Sequence, residues 1–253
     1  MDKQSHLTPR WRGLLGLAGI VLAGLFLLLS EFGPALDRDA AVKSALNGPS
    51  LAALFPKAEA FQYDPPAAGS YELPVIKPMP DSELVGSDGA AVKLSKLTDG
   101  RQSLIAFVYL NCADAEGCPL AMATLWQLHD ASAQQPALRE HLQLITISFD
   151  PSRDTPQALN AIVEAMQADQ ALAQKLSWRF LTGESRESLM PLLQAFGQPI
   201  NTSQTPGKIN HLLRLFLVDK QGMIRNIYGL GSIDPRLIMT DVATLLMQEQ
   251  ASH

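Results

Sequence analysis

The sequence predicts an α/β domain, a mixed sheet flanked by helices on both faces, with an N-terminal transmembrane helix in front of it. Three observations carry this reading. Residues 103–110 (SLIAFVYL) and 142–149 (LQLITISF) are apolar at nearly every position, as central strands buried under helices must be. Helix-like segments of about 10–15 residues alternate with the strand-like ones, the pattern of parallel strands joined by crossovers. A hairpin around Asp219-Lys220-Gln221-Gly222 then closes the series with antiparallel strands.

The elements follow in order. Residues 13–29 (GLLGLAGIVLAGLFLLL) carry no charge. At 1.5 Å per residue they span about 25 Å, slightly less than the roughly 30 Å hydrocarbon core. Lys3, Arg10 and Arg12 precede this run, and Glu31, Asp37 and Asp39 follow it. The positive-inside bias therefore leaves residues 1–12 in the cytoplasm, makes 13–30 a single-pass anchor and places the remainder in the periplasm or equivalent extracytoplasmic space. A cleaved secretory signal ending near Gly33-Pro34-Ala35 is the alternative, and it leads to the same compartment. Residues 31–70, broken by Pro34, Pro49, Pro56, Pro65 and Pro66, read as a spacer, and residues 71–250 as the folded domain.

Within that domain, 71–76 and 82–85 are short strand candidates, and Asp88-Gly89 signals a hairpin before a strand at 90–94. After the first central strand, 119–132 reads as a helix with Leu120, Met122, Ala123, Leu125 and Leu128 toward the core. The second central strand leads to Asp154-Thr155-Pro156, where Thr155 is an N-cap and Pro156 suits the first turn. A strand at 178–181, a helix at 185–196, the hairpin of 212–218 with 223–228, and a last helix from Asp234-Pro235 to Gln248 complete the chain.

Composition excludes several functions. Lys and Arg total 20 against 25 acidic residues, for a net charge of −5, and no basic run exceeds two residues, so a backbone-tracking nucleic-acid binder is ruled out. No glycine-rich phosphate loop is present. Two cysteines are too few for a disulfide scaffold or a four-thiolate zinc site.

Those two sulfurs are therefore the scarce resource. Cys112 follows the end of a central strand and Cys118 opens the next helix, so both lie at the carboxyl edge of the sheet, where α/β folds place their sites. At the helix N-terminus the dipole favours thiolate in Cys118, whereas Asp114 and Glu116 in the intervening loop oppose it. A moderately acidified pair is the expectation. A plain disulfide closing this ring would contribute only about 2.4 kcal/mol in the chain-entropy model. Two thiolates select Cu(I) or Zn(II), and a neutral imidazole added to them holds either copper oxidation state. His211, 93 residues after Cys118, lies before a sheet strand; it is a ligand only if folding brings it to the sulfurs, and otherwise a solvated loop residue. His129 and His141 read as exposed, His6 lies across the membrane, and Met122 reads as core packing.

Phe107-Val-Tyr-Leu-Asn-Cys112, Cys118-Pro119, Ser148-Phe-Asp150-Pro-Ser-Arg-Asp154-Thr-Pro156, and Asn210-His211 leading into Leu215-Phe-Leu-Val-Asp219-Lys-Gln-Gly222 resemble the Sco/SenC family of membrane-anchored copper chaperones. The similarity runs over about residues 70–250. It implies a thioredoxin-like domain in which Cys112, Cys118 and His211 hold one copper, Cu(I) or Cu(II), for delivery to a copper centre of a respiratory oxidase subunit or another cuproprotein. Asp150 and Asp154 resemble the family's acidic stretch beside the site. Asp150 is expected to orient His211 or a water, and Asp154 to serve as a turn or helix-start carboxylate. The sequence departs from the family's C-x-x-x-C-P at one point: five residues separate the cysteines here.

Three other readings use the same residues. A metal-free thiol:disulfide oxidoreductase would attack with one sulfur and resolve with the other. A peroxide-reducing enzyme would need an arginine that only folding could bring to Cys112. A tethered binding module would keep a structural disulfide and dock its partner on the 219–232 hairpin.

Overall fold

The computed structural model describes residues 61, 63–112, 117–169, 175–202 and 209–251. The expected cytoplasmic segment, membrane anchor and most of the spacer lie outside these residues. Among the described residues no helix is long and apolar enough to cross a membrane.

The chain begins with β1 (Lys77–Pro78) and the hairpin of β2 (Glu83–Gly86) and β3 (Ala91–Lys93), followed by the short α1 (Leu94–Thr98). The hairpin turns at Gly89, whose φ of +80° is strained for a residue with a Cβ. The core unit is β4 (Gln102–Val108), α2 (Cys118–Ala131), α3 (Pro136–His141), β5 (Leu142–Ser148), α4 (Pro156–Ala168) and β6 (Ser177–Thr182). Then come α5 (Arg186–Ala195), β7 (Ile200–Thr202), β8 (Ile209–His211), β9 (Arg214–Val218), β10 (Met223–Gly229) and α6 (Pro235–Ala251). Eight strands form one sheet in the order β1-β10-β9-β4-β5-β6-β2-β3, while β7 and β8 make a separate ribbon. β4, β5 and β6 run parallel, and β9 joins β4 antiparallel.

Every residue of β4 and β5 is buried, which explains their lack of alternation. Leu104, Leu144 and Trp178 stand side by side across β4, β5 and β6, and Trp178 meets Trp126 of α2 with 4.8 Å between ring centroids. On the opposite face Ile105 pairs with Phe216. There Phe107 and Phe216 each lie 4.9 Å from Phe196, at the end of α5. Helices α2 and α5 thus cover opposite faces of a mixed sheet, as the sequence predicts, and α6 packs against α2.

Four sequence expectations need correction. Residues 71–76 are not a strand: Pro74 removes a ladder donor, and the Leu73 carbonyl is taken by the Arg225 guanidinium. In α2 the buried face is Cys118, Ala121, Thr124, Leu125, Leu128 and His129, with half-buried Met122 packed against the core as expected, while Ala123 is exposed and Leu120 half-buried. Burial of Cys118 sets the phase of that helix. His129 is therefore inside, 1% exposed, with its ring 5.6 Å from both Trp126 and Trp178. Finally, the strand expected from 212 begins at Arg214, and His211 ends the separate ribbon instead. The turn and cap signals are as expected: Thr155 accepts the Ala158 N–H, and Ser185 caps α5.

The described residues ahead of β1 are tied to α6. Gly69 N–H donates to Thr244 Oγ1 at 3.0 Å, Tyr71 donates to buried Asp241, and Arg236 donates to the Tyr63 carbonyl at 3.1 Å.

Candidate metal centre

The site is built at the carboxyl end of β4. After Tyr109 the chain turns, with Cys112 N–H donating to the Tyr109 carbonyl at 3.3 Å, and this places Cys112 half-buried at the sheet edge. Asp154 fixes the turn. Its carboxylate accepts Leu110 N–H at 2.8 Å and the Ser148 hydroxyl at 2.6 Å, joining the end of β4 to the end of β5. Of the two roles expected for Asp154 it takes the turn, and it does so across two strand ends.

Cys118 is the first residue of α2 and is 2% exposed. Tyr109 N–H points to its sulfur at 3.4 Å. Contrary to the expected acidification, burial pushes the Cys118 thiol well above its ordinary pKa; the Tyr109 N–H pulls the other way, and neighbouring Cys112 adds to the rise. Desolvation therefore outweighs the helix N-terminus. Neither cysteine is in a disulfide.

His211 arrives on β8 from far along the chain. Its Nε2 lies 3.2 Å from Cys118 Sγ, and its Nδ1 lies 3.1 Å from the Ile209 carbonyl. A carbonyl only accepts, so Nδ1 carries the proton and the Nε2 lone pair is turned to the sulfur. The ring is held edge-on to Tyr109 at 5.7 Å and against Phe149 at 5.2 Å. The Ile209 carbonyl holds the tautomer that Asp150 was expected to fix. Asp150, 1% exposed, is instead bonded by Arg153, Arg186 and Ser152. Folding also brings Arg153 over the Tyr109 ring, 6.0 Å from its centroid.

The donor atoms of Cys112, Cys118 and His211 all lie within 4.8 Å of one another, the one such cluster of three or more among the described residues. Three points so spaced fit in a circle of radius about 2.8 Å (4.8 Å divided by √3). Soft-metal bonds of about 2.3 Å to sulfur and 2.0–2.1 Å to imidazole need only a small inward movement from there. His141 is exposed and takes no part in the cluster. Tyr109, which touches all three segments, escaped the sequence reading because a strand-end tyrosine looks like core. The residues between the cysteines, including Asp114 and Glu116, lie outside the described residues.

A mixed sheet with a dithiol and an imidazole gathered at its carboxyl edge defines a thioredoxin-like protein equipped for thiol exchange or soft-metal binding. Residues 78–247 match the model of the SCO1/SenC family, and the chain belongs to that family. A protein of Stutzerimonas stutzeri named "Putative copper-binding protein" is 32% identical over 157 residues, covering 60% of this chain and 70% of that one. Among solved structures, apo Sco1 of Thermus thermophilus is 25% identical with a TM-score of 0.54, covering 71% of this chain and 97% of the other. Copper-bound ScoI of Arabidopsis thaliana is 20% identical with a TM-score of 0.51, covering 67% and 98%. The latter shares the fold.

Proposed function

We propose that this chain is a membrane-tethered, extracytoplasmic copper carrier that holds one copper ion as cargo through Cys112, Cys118 and His211. It passes the ion to a copper centre of a respiratory oxidase subunit or another cuproprotein, or keeps that centre's thiols reduced. One observation carries the reading: a lone-paired imidazole nitrogen is delivered to two cysteines that share no disulfide, from a strand 93 residues beyond Cys118 and at 3.2 Å from its sulfur. Two thiolates and one imidazole suit copper in either oxidation state. Family membership and the copper-binding relative support the choice of metal. Tethering is supported by the uncharged run at 13–29 and the charges on either side of it. In this reading the domain is residues 71–250, lifted from the membrane by the preceding segment.

Transfer proceeds by ligand exchange, the client's thiolates replacing Cys112 and Cys118 one at a time. Because binding needs both thiolates, oxidation of the pair to a disulfide switches loading off. The test is a Cu(I) titration of the reduced full chain in detergent. One equivalent is expected to bind, and Cys112→Ser, Cys118→Ser and His211→Ala are each expected to weaken it; three variants that bind like the parent sink the proposal. The reduced cysteine pair also suits metal-free electron exchange. That activity would survive His211→Ala, whereas copper binding would not.

A further inference from the structure

The His211 end of β8 is gripped by two side-chain bonds to the end of α5. That helix closes in a hydrogen-bonded cap: Gly197 N–H donates to the Gln194 carbonyl at 2.9 Å and Gln198 N–H to the Leu193 carbonyl at 2.7 Å, with Gly197 at a φ of +68°. Phe196, 1% exposed and 4.9 Å from both Phe107 and Phe216, fixes the cap in the core. From this mount the Gln198 amide donates to the Leu212 carbonyl, and Arg214 donates back to the Gly197 carbonyl. The backbone ladder of the ribbon runs from Thr202 opposite Ile209 to Ile200 opposite His211. The two side-chain bonds continue that pairing past the histidine.

Gln198 is 0% exposed, and its amide is oriented by its acceptor. A carbonyl only accepts, so Nε2 faces Leu212; Oε1 is left buried with no hydrogen-bond partner among the described residues. Burying half of an amide unpaired costs stability, and a methionine would fill a similar space without that cost. What the amide supplies and methionine cannot is the bond to Leu212, the residue next to His211. The Ile209 carbonyl orients the imidazole, and the Leu212 bond holds the backbone that carries it.

We propose that Gln198 is a positioning residue for the metal site: through the Leu212 carbonyl it holds His211 where Nε2 stands 3.2 Å from Cys118 Sγ, within closing distance of a shared copper ion. This rests on the copper-carrying reading above. Gln198 acts through the histidine and not on the ion. Two thiolates alone retain some Cu(I) affinity, so loosening the end of β8 weakens binding without abolishing it. The effect of Gln198 therefore exists only while position 211 carries an imidazole.

The test is a double-mutant cycle on Cu(I) affinity, measured by competition with a chromogenic Cu(I) chelator on the reduced full chain in detergent. Gln198→Met is expected to weaken binding about tenfold in the parent and less than about twofold in the His211→Ala background. In the metal-free protein the same variant should move the His211 ring resonances and leave those of exposed His141 in place. If Gln198→Met does not fold, replacing Leu213 by its α-hydroxy acid weakens the Leu212 carbonyl as an acceptor with Gln198 intact, and the same cycle is expected to hold. Tyr228→Phe, which removes a buried hydroxyl bonded to Asp241, is the control for general destabilisation: a lower urea midpoint with unchanged copper affinity. Equal losses in both backgrounds, no loss in the parent, or unmoved His211 resonances overturn the role of Gln198 and leave the copper site standing. A parent that takes up no copper, or a His211→Ala protein with the parent's affinity, overturns the copper reading itself and the role of Gln198 with it.

Discussion

His129 makes the domain acid-labile. Its ring is sealed between Trp126 and Trp178, and its Nδ1 has no hydrogen-bond partner among the described residues. Burial pushes its pKa down from 6.5 to about 4, and the Lys175 cation beside it acts in the same direction, while Asp130 opposes. The folded protein thus holds His129 neutral, and the unfolded chain protonates it first. Stability from this residue is fully present above pH 6.5 and is lost as pH falls toward 4. Linkage gives a loss of about 2 kcal/mol between pH 7 and pH 5, and about 3 kcal/mol by pH 4. The perturbation is His129→Phe, which keeps an aromatic ring between the tryptophans and removes the titration. Urea unfolding of parent and variant at pH 7 and pH 5, followed by tryptophan fluorescence, gives the difference directly, because every other titrating group cancels. The parent should lose about 2 kcal/mol more than the variant. Equal losses would refute the reasoning.

Three further outcomes test the packing and the site. Gly183→Ala would place a Cβ 2.5 Å from Leu189 Cγ inside the α5 interface, and a loss of about 1–3 kcal/mol in urea unfolding is expected. Asp154→Ala leaves the part-buried Leu110 N–H and the buried Ser148 hydroxyl without their acceptor; it should cost about 1–3 kcal/mol and speed alkylation of Cys112 by loosening its turn. Nitrogen-15 NMR of the metal-free protein should show His211 protonated at Nδ1, because the Ile209 carbonyl can only accept; an Nε2–H tautomer would contradict the geometry.

The fold was legible where burial acts on many residues at once. Residues 103–110 and 142–149 announce central strands because no face of them is wet, and Thr155 and Ser185 announce helix starts through local bonds. Legibility fails where one long-range contact decides. Nothing near His129 in sequence shows that Trp178, from another strand, will close over it. The ribbon of β7 and β8 is too short to leave a pattern, so His211 looks like the entrance to the next strand. The acidity expected of Cys118 followed local rules, the helix dipole and its neighbours, whereas the tertiary burial that overrides them is invisible in the sequence. The two cysteines stood out as candidates by their chemistry and His211 chiefly through the family resemblance, and the fold brings their donor atoms together. Their support was not legible: Ile209 in place of Asp150, and Tyr109 at the centre, emerge only from the folded geometry.

The two thiols are unequal, and this inequality orders any exchange at the site. Cys118 is 2% exposed and its proton is held tightly by burial, whereas Cys112 is half-buried on a turn at the sheet edge. An incoming thiolate reaches Cys112 first, whether it comes to take a metal or to open a disulfide. While Cys112 is being displaced, Cys118 and His211 remain in contact at 3.2 Å from positions fixed by α2 and β8. In the proposed carrier the ion would thus keep two protein ligands until the client has supplied one of its own. The same inequality governs a simple reagent. Iodoacetamide added to the reduced, metal-free chain should modify Cys112 faster than Cys118 by on the order of tenfold or more, read by mass spectrometry of the peptides. Equal rates, or modification of Cys118 first, would mean that the helix N-terminus activates Cys118 after all and that exchange begins from the other side of the site.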